Sequence, residues 1–327
     1  MTINSHVGRV GAVAVALGVG AGLAATSPTA SADDAVSAQV KARIDAALAS
    51  RGSVSVSVNG KTVVQMGTAT SSATGTNSRA IARGAGAVAT ADGGDRNVAV
   101  AVGANSVARA GLNDSYNGAG DNNRAIVRGA NSAAHAGGGN NNTARITGNH
   151  NVVSAGEGDD NSATALGAGN TAAAYGGNGN TAAAQGTSNA AYAQRGDRNT
   201  AITRGYLGFA SVGFGDDNSG TAIGDITRVR VFYGNNNSGT AIGDLSEAEV
   251  MWGSDSTALA DGDGNFAAAW GSNSTAKAYA GTNNAAGVTG DRSTAIAYGG
   301  DNNYASITGN GLTATAGPGN GIMIIVP

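Results

Sequence analysis

Residues Gly196–Arg204 read GDRNTAITR, and this nine-residue unit decides the fold. The unit opens with a Gly-Asp-Arg turn and continues as a short run whose side chains alternate between two faces. Asn199, Ala201 and Thr203 share one face, and the residues between them share the other. The pattern G-x-x-N-x-A-x-A-x therefore predicts a turn followed by a β-strand with one narrow, buried face.

The unit recurs along most of the chain, because glycines follow one another from Gly75 to Gly319 in steps of nine or ten residues, apart from one step of eight. The two step lengths alternate strictly from Gly129 to Gly262, so the full period is nineteen residues. A period of this kind indicates a repeat architecture with two strands per coil. We predict an all-β, narrow, two-sided parallel β-solenoid over residues 75–321, with about thirteen coils and a length of about 60 Å.

Residues at equivalent positions of successive units predict which faces of the strands are buried. The second and fourth residues after each Asn position are nearly all Ala, Val, Ile or Thr, whereas the alternate positions hold Arg145, Arg228, Glu247 and Lys277. Charged side chains need water, so the small face is the core. The Asn positions are expected to stack from coil to coil, as an asparagine ladder in which amides satisfy one another and neighbouring backbone groups.

The N-terminal residues 1–32 have the pattern of a secretory signal peptide. Arg9 gives a positive start, residues 11–25 are apolar, and a small-x-small site precedes cleavage between Ala32 and Asp33. We therefore expect a protein that is secreted or held at the extracellular cell surface. No later segment is apolar over a length that would span a membrane.

Residues 33–74 are predicted to cap the N-terminal end of the solenoid. Apolar residues recur at every fourth position over residues 35–51, which predicts a short helix. Asn59-Gly60 then separates two alternating runs, which is a strong hairpin signal. Residues 67–74 are expected to be a polar passage into the first coil, residues 112–118 a loop or distorted coil, and the apolar residues 322–327 a strand that caps the last coil.

The composition gives little support for catalysis. The chain has no Cys and three His, no Ser-His-acid or HExxH arrangement, and its paired Asp residues fall in turns. The net charge of −3 does not favour nucleic-acid binding. We expect a non-enzymatic protein with no cofactor.

Calcium binding is an alternative to a purely structural repeat. Asp261-Gly262-Asp263-Gly264-Asn265 has the start of a calcium loop, although Ser272 stands where a bidentate Glu belongs. Residues 176–180, GGNGN, are similar to the nine-residue repeat of calcium β-rolls, which also place two strands in each coil.

Two outward columns are candidate interaction surfaces. The hydroxyl stripe is the residue after the Asn position in one half-coil: Thr143, Ser162, Thr181, Thr200, Ser219, Ser238, Thr257, Thr275, Thr294 and Thr313. Thr suits an exposed strand, and a flat hydroxyl and methyl surface is alternatively a site for ice or polysaccharide. The aromatic stripe lies on the other half-coil: Tyr175, Phe232, Tyr233, Trp252 and Trp270. These rings either fill a widened corner of the core or form an exposed surface for self-association or a sugar.

Three resemblances point to export. Residues 6–20, HVGRVGAVAVALGVG, resemble leaders of exported mycobacterial proteins. Residues 120–125, GDNNRA, are similar to the core of curlin repeats, which imply two strands per coil and bacterial amyloid fibres. Residues 103–108 and 129–134 resemble head repeats of trimeric autotransporter adhesins. Together they imply a structural or adhesive protein of the surface or matrix, whose partners are further copies of itself or surface glycans.

Overall fold

The computed structural model describes residues 52–111 and 120–327, in which every regular element is a β-strand. The predicted helix over 35–51, the signal peptide and the irregular segment 112–118 lie outside the described residues. The strands are, in chain order, β1 (Val54–Val58), β2 (Lys61–Met66), β3 (Thr70–Ala73), β4 (Arg79–Arg83), β5 (Val88–Ala91), β6 (Val98–Val102), β7 (Val107–Gly111), β8 (Arg124–Arg128), β9 (Ala133–Gly137), β10 (Thr143–Thr147), β11 (Val152–Gly156), β12 (Ser162–Ala168), β13 (Thr171–Tyr175), β14 (Thr181–Thr187), β15 (Ala190–Gln194), β16 (Thr200–Tyr206), β17 (Phe209–Gly213), β18 (Ser219–Ile223), β19 (Arg228–Phe232), β20 (Ser238–Ile242), β21 (Glu247–Met251), β22 (Thr257–Asp261), β23 (Phe266–Trp270), β24 (Thr275–Tyr279), β25 (Ala285–Thr289), β26 (Thr294–Tyr298), β27 (Tyr304–Thr308), β28 (Thr313–Ala316) and β29 (Met323–Val326).

Successive strands go to opposite sheets, as the prediction of two strands per coil requires. Sheet A has the order β2-β1-β4-β6 and then every even strand to β28, and sheet B runs through the odd strands from β3 to β29. Apart from the hairpin strands, neighbours within each sheet are parallel, and Thr181 pairs with Thr200, nineteen residues further on. The predicted two-sided parallel β-solenoid is confirmed.

Three coils depart from the nineteen-residue period. Thr70 pairs with Val88, so the coil that begins there is one residue short. Val98 pairs with Arg124, so the intervening coil is longer and includes residues 112–119. Thr257 pairs with Thr275, so that coil is one residue short. The extra residue of the longer unit lies at the corner after sheet B in earlier coils, and it lies at the corner after sheet A from residue 271 onward.

The core is a thin layer between the two sheets, filled mainly with Ala methyl groups. Ile146 and Ile307 are among the largest fully buried side chains, and no aromatic residue belongs to the buried hydrophobic core of the described ranges. Residues that face each other across the core, one on each sheet, compensate in side-chain volume. A Cβ placed on Gly220 would lie 2.6 Å from Val212 Cγ2, so the larger side chain on sheet B requires the smaller residue on sheet A.

The ends of the solenoid differ from the prediction in detail. The hairpin is confirmed, and β1 pairs antiparallel with both β2 and β4, so the hairpin covers the first edge of sheet A. The expected polar passage instead contains β3, the first strand of sheet B, because Ala69 and Ala73 are both buried in the core. The apolar strand β29 pairs in parallel with β27 and is therefore part of the last coil, not a cover over it.

Candidate functional site

Ladders of buried amides hold the coils in register. Asn199 Nδ2 donates to the carbonyl oxygen of Gly215 at 2.7 Å, and Asn199 Oδ1 accepts from the backbone N–H of Asn218 at 3.1 Å. Each amide in the ladder thus bonds the backbone of the following coil and not the next amide, which corrects one part of the prediction. Because these backbone groups are buried, the ladder satisfies donors and acceptors that would otherwise lack partners.

The corner glycines allow the coils to stack at this spacing. A Cβ on Gly196 would lie 2.0 Å from the carbonyl oxygen of Gly215, and a Cβ on Gly281 would lie 1.9 Å from that of Gly300. No side chain fits at such distances. The glycine column is therefore required by contact between successive corners.

The turn carboxylates and amides are also used by the backbone. Asp263 Oδ1 accepts from the N–H of Asp244 at 2.9 Å, and Asp244 Oδ1 accepts from the N–H of Asp225 at 2.8 Å. Hydrogen bonds from the backbone and hydroxyl of Thr282 lower the pKa of Asp301. Within the described ranges, His, Asp and Glu residues form no group of three placed to hold a metal ion. Asp263, one of the residues proposed for a calcium loop, thus links two coils.

The hydroxyl stripe is straight. Its members occupy the first outward position of sheet A, and Thr181, for example, pairs directly with Thr200. All of them are half-buried except Thr313, which is exposed. The next outward column mixes Arg145, Leu259 and Lys277 with smaller residues. The hydroxyl stripe is therefore one residue wide, and the outward position beside it varies in size and charge from coil to coil.

The aromatic side chains form an exposed row at the corner after sheet B. The ring centroids of Phe214 and Tyr233 are 4.9 Å apart, those of Tyr233 and Trp252 are 6.2 Å apart with an angle of 11°, and those of Trp252 and Trp270 are 6.2 Å apart. Phe232 packs edge-on against Phe214 at 5.9 Å. We call Phe214, Tyr233, Trp252 and Trp270 the aromatic row. Trp252 is 62 % exposed and Tyr233 is 45 % exposed, so for these two rings the structure agrees with the exposed surface and not with the filling of a widened corner.

The backbone of the aromatic row is in an unfavourable conformation for bulky residues. Phe214, Tyr233 and Trp252 have φ of 60°, 60° and 53°, in the left-handed region. Gly138 and Gly176 occupy the same corner position in earlier coils, with φ of 75° and 74°. The coil therefore closes without a ring at this position, and the fold does not explain the aromatic residues.

Tyr175 stands apart from the row. It pairs with Gln194, which pairs in turn with Gly213, so Tyr175 lies two coils before Phe214. Its hydroxyl donates to Gln194 Oε1, and burial raises its pKa. The guanidinium of Arg195, in the coil between, lies 4.7 Å from the centroid of the Phe214 ring. Arg195 thus extends the aromatic row by one coil, and Tyr175 of the predicted aromatic stripe lies one coil further away.

Charged residues cross the outward face of sheet B beside the aromatic row. Arg228 Nη1 lies 3.7 Å from Glu247 Oε1, and Arg230 Nη1 lies 3.8 Å from Glu249 Oε1, each pair joining two successive coils. Glu249 is largely buried, and this burial raises the pKa of its carboxyl despite the opposing effect of Arg230. These pairs link coils and leave the corner rings uncovered.

A second exposed row escaped the sequence analysis. At the opposite corner, after sheet A, Leu207, Ile226 and Leu245 occupy equivalent positions in three successive coils and are 45 %, 51 % and 65 % exposed. We call them the aliphatic row. Their signal in the sequence is the third residue of each unit, which is apolar in these three coils. The other described coils have these residues at the position: Gly86, Asn105, Asn131, His150, Gly169, Ser188, Gly264, Asn283, Asn302 and Gly321.

Comparison with protein-family models, curated proteins and solved structures finds no match to the chain. Over residues 52–111 and 120–327, no helix has the length and hydropathy that a membrane span requires.

Proposed function

We propose that this chain is a secreted, non-enzymatic adhesive protein of the cell surface or extracellular matrix, and that the aromatic row is the surface that contacts glycans. The observation that carries the proposal is a row of four rings, one per coil from Phe214 to Trp270, of which Tyr233, Trp252 and Trp270 are exposed. At the positions of Phe214, Tyr233 and Trp252 the corner folds equally well with glycine. Exposed apolar surface that the fold does not need marks a contact site.

The chemistry of the row suits a sugar ring. The face of an aromatic ring carries partial negative charge, and the C–H groups of a pyranose present partial positive charge to it. The ring planes of Tyr233 and Trp252 are nearly parallel, at an angle of 11° with centroids 6.2 Å apart, so successive coils hold the two rings at a fixed spacing. Because amide ladders hold the corner, little conformational entropy is lost when a ligand binds.

The leader supports export. A small-x-small site at Ala30–Ala32 precedes Asp33-Asp34, and the absence of Cys frees the folded chain from any need for disulfide formation outside the cell. Mass spectrometry of the chain recovered from the culture medium should find an N-terminus at Asp33. Retention of residues 1–32 on an intracellular product would contradict this part of the proposal.

A glycan array tests the adhesive function. The double variant Tyr233→Gly, Trp252→Gly removes two rings and places at each corner the residue that Gly138 and Gly176 already supply. At about 0.5–1.5 kcal/mol for each ring, the two rings together contribute about 1–3 kcal/mol, so we expect about a 5- to 150-fold loss of affinity for the glycans that the unaltered chain binds. Circular dichroism should show the fold unchanged, because glycine relieves the left-handed backbone.

The matched control is Thr200→Ala, which removes one hydroxyl from the stripe on sheet A. This variant should bind as the unaltered chain does. Loss of binding in the Thr200→Ala variant together with full binding by the double variant would transfer the site to the hydroxyl stripe. An array on which the unaltered chain binds no glycan would contradict the adhesive function.

A further inference from the structure

The aliphatic row is the least expected feature of the molecule. Leu207, Ile226 and Leu245 have φ of 55°, 57° and 58°, and a β-branched residue such as Ile226 is a clear outlier in this region. The same position elsewhere holds Gly, Asn, Ser or His, and Gly and Asn adopt this conformation readily. Three successive coils therefore combine an unfavourable backbone with an apolar side chain in water, and neither contributes to the core.

The surroundings of the row enlarge the apolar surface. Tyr206, which is 47 % exposed, precedes Leu207, and Ile242, which is 36 % exposed, ends the strand before Leu245. Ile223 occupies the equivalent position in the coil between them. The patch is thus continuous over three coils, and a contiguous exposed patch of this kind marks an interaction site.

We propose that the aliphatic row packs against the aliphatic row of a second copy of this chain, in an antiparallel pair related by a two-fold axis at Ile226. The side chains repeat once per coil, at a rise of about 4.8 Å, so the partner must present apolar groups at the same rise. A second copy of the chain meets this requirement because its aliphatic row has the same rise per coil. The order Leu-Ile-Leu is symmetric about Ile226, as an isologous contact requires.

Charge decides between the two ways of pairing the rows. A parallel pair would place Asp225, Asp244 and Asp263, which are all exposed at this corner, each opposite its own copy. An antiparallel pair leaves only one such contact, at Asp225. It also sets the coil of Leu207 opposite the coil of Leu245, so that exposed Arg204 of one copy faces exposed Asp244 of the other, twice by symmetry. Opposite charges across an interface favour that register.

The pair leaves the aromatic rows accessible. The aliphatic row lies at the corner after sheet A and the aromatic row at the corner after sheet B, on opposite edges of the solenoid. Dimerisation therefore does not rest on glycan binding, and failure of one leaves the other intact.

Cross-linking tests the geometry, because the chain has no Cys. Under mild oxidation of the full chain, the Ile226→Cys variant should form a disulfide-linked dimer. The Leu207→Cys and Leu245→Cys variants should cross-link only when mixed. Alone, each would place its thiols two coils apart, about 9.6 Å along the rod, beyond the Cα separation of about 4.4–6.8 Å that a disulfide allows. Cross-linking of the Leu207→Cys variant with itself would overturn the antiparallel arrangement.

Light scattering after size exclusion tests the contact itself. The full chain of 31.5 kDa should elute at twice that mass. The triple variant Leu207→Asn, Ile226→Asn, Leu245→Asn should elute as a monomer and melt at an equal or higher temperature, because Asn105, Asn131 and Asn283 already occupy this position. Arg204→Glu should also give a monomer, and adding Asp244→Arg should restore the dimer.

The control is Val152→Thr, which changes a side chain on sheet B that is 53 % exposed and outside the row. This variant should remain dimeric. A monomeric unaltered chain at high concentration, or a dimer that persists in the triple Asn variant, would overturn the proposal.

Discussion

The stacking of corner glycines makes a graded prediction about three single substitutions to alanine. The Cβ of a Gly196→Ala variant would lie 2.0 Å from the carbonyl oxygen of Gly215, and the φ of 147° at residue 196 is one that alanine rarely adopts. In a Gly281→Ala variant the Cβ would lie 1.9 Å from the carbonyl oxygen of Gly300, but the φ of residue 281 is not positive. In a Gly287→Ala variant the nearest atom, Ser306 Oγ, is 4.0 Å away.

The magnitudes follow from these distances. Overpacking costs about 1–3 kcal/mol and a strained backbone about 1–3 kcal/mol more, so Gly196→Ala should lose about 2–6 kcal/mol of unfolding free energy. Gly281→Ala should lose about 1–3 kcal/mol, from overpacking alone. Gly287→Ala should gain about 0.5–1 kcal/mol, because glycine in a strand interior is unfavourable.

Denaturant unfolding followed by circular dichroism measures the order of the three variants. Hydrogen exchange resolved by peptide locates the effect, because repeat proteins open locally, and protection should fall in the coils on either side of Gly196. Equal stability of the Gly196→Ala and Gly287→Ala variants would refute the reasoning, since the two sites differ in both clash and backbone conformation.

Three further substitutions test the amide ladder, a buried hydroxyl and a buried carboxyl group. Asn199→Ala leaves the buried N–H of Asn218 and the carbonyl of Gly215 without partners, so denaturant unfolding should show a loss of about 2–4 kcal/mol. Thr203→Val removes a buried hydroxyl that has no hydrogen-bond partner and should raise the unfolding free energy by about 1 kcal/mol. Burial raises the pKa of Glu249 above its ordinary value of 4.5, so ionisation opposes folding and stability falls as pH rises through the pKa in the folded state. Glu249→Gln should therefore be more stable than the unaltered chain well above pH 4.5, and the difference should shrink below that pH.

Each of these has a control or a contrary result. Gln185→Ala, on an exposed position of β14, should leave stability nearly unchanged, and an equal loss in the Asn199→Ala and Gln185→Ala variants would contradict the ladder. Thr200→Val on the outward face should be neutral, whereas destabilisation by Thr203→Val would show that its hydroxyl has a partner. If the difference in unfolding free energy between the unaltered chain and the Glu249→Gln variant were the same at every pH, burial of the charge would not be its cause.

The repeat geometry was predictable because every coil applies the same rule. Asn199 and Ala201 alternate with solvated residues, and a slip of one position would bury Arg145 or Glu247, so the register follows from charge. The first strand of sheet B was missed because residues 70–73 lack the Gly and Asn that mark later units. They join the sheet through backbone pairing with β5, which leaves no motif in the sequence.

The outward surfaces were predictable only in part. The position of the rings followed from the alternation of strand and corner, but their exposure depends on the thickness of the core. A layer filled by Ala methyl groups has no room for a ring, so Trp252 and Tyr233 turn outward. The aliphatic row was missed because the columns that predict the buried and outward faces are strand positions, and the aliphatic row lies in the turns. Only the φ of Ile226 shows that an apolar residue there is exceptional.

The amide ladder also sets how this protein can change in length. Asn199 stands to Asn218 as Asn180 stands to Asn199, so loss or duplication of one nineteen-residue coil leaves every partner replaced by an equivalent one. Coils of other lengths also keep the ladder: the N–H of Asn123 donates to Asn97 Oδ1 across 26 residues, and the N–H of Ser274 donates to Ser256 Oγ across 18. Length is therefore heritable in steps of one coil, about 4.8 Å each. Duplication of a coil outside the aromatic and aliphatic rows shifts both rows along the rod without disturbing either surface.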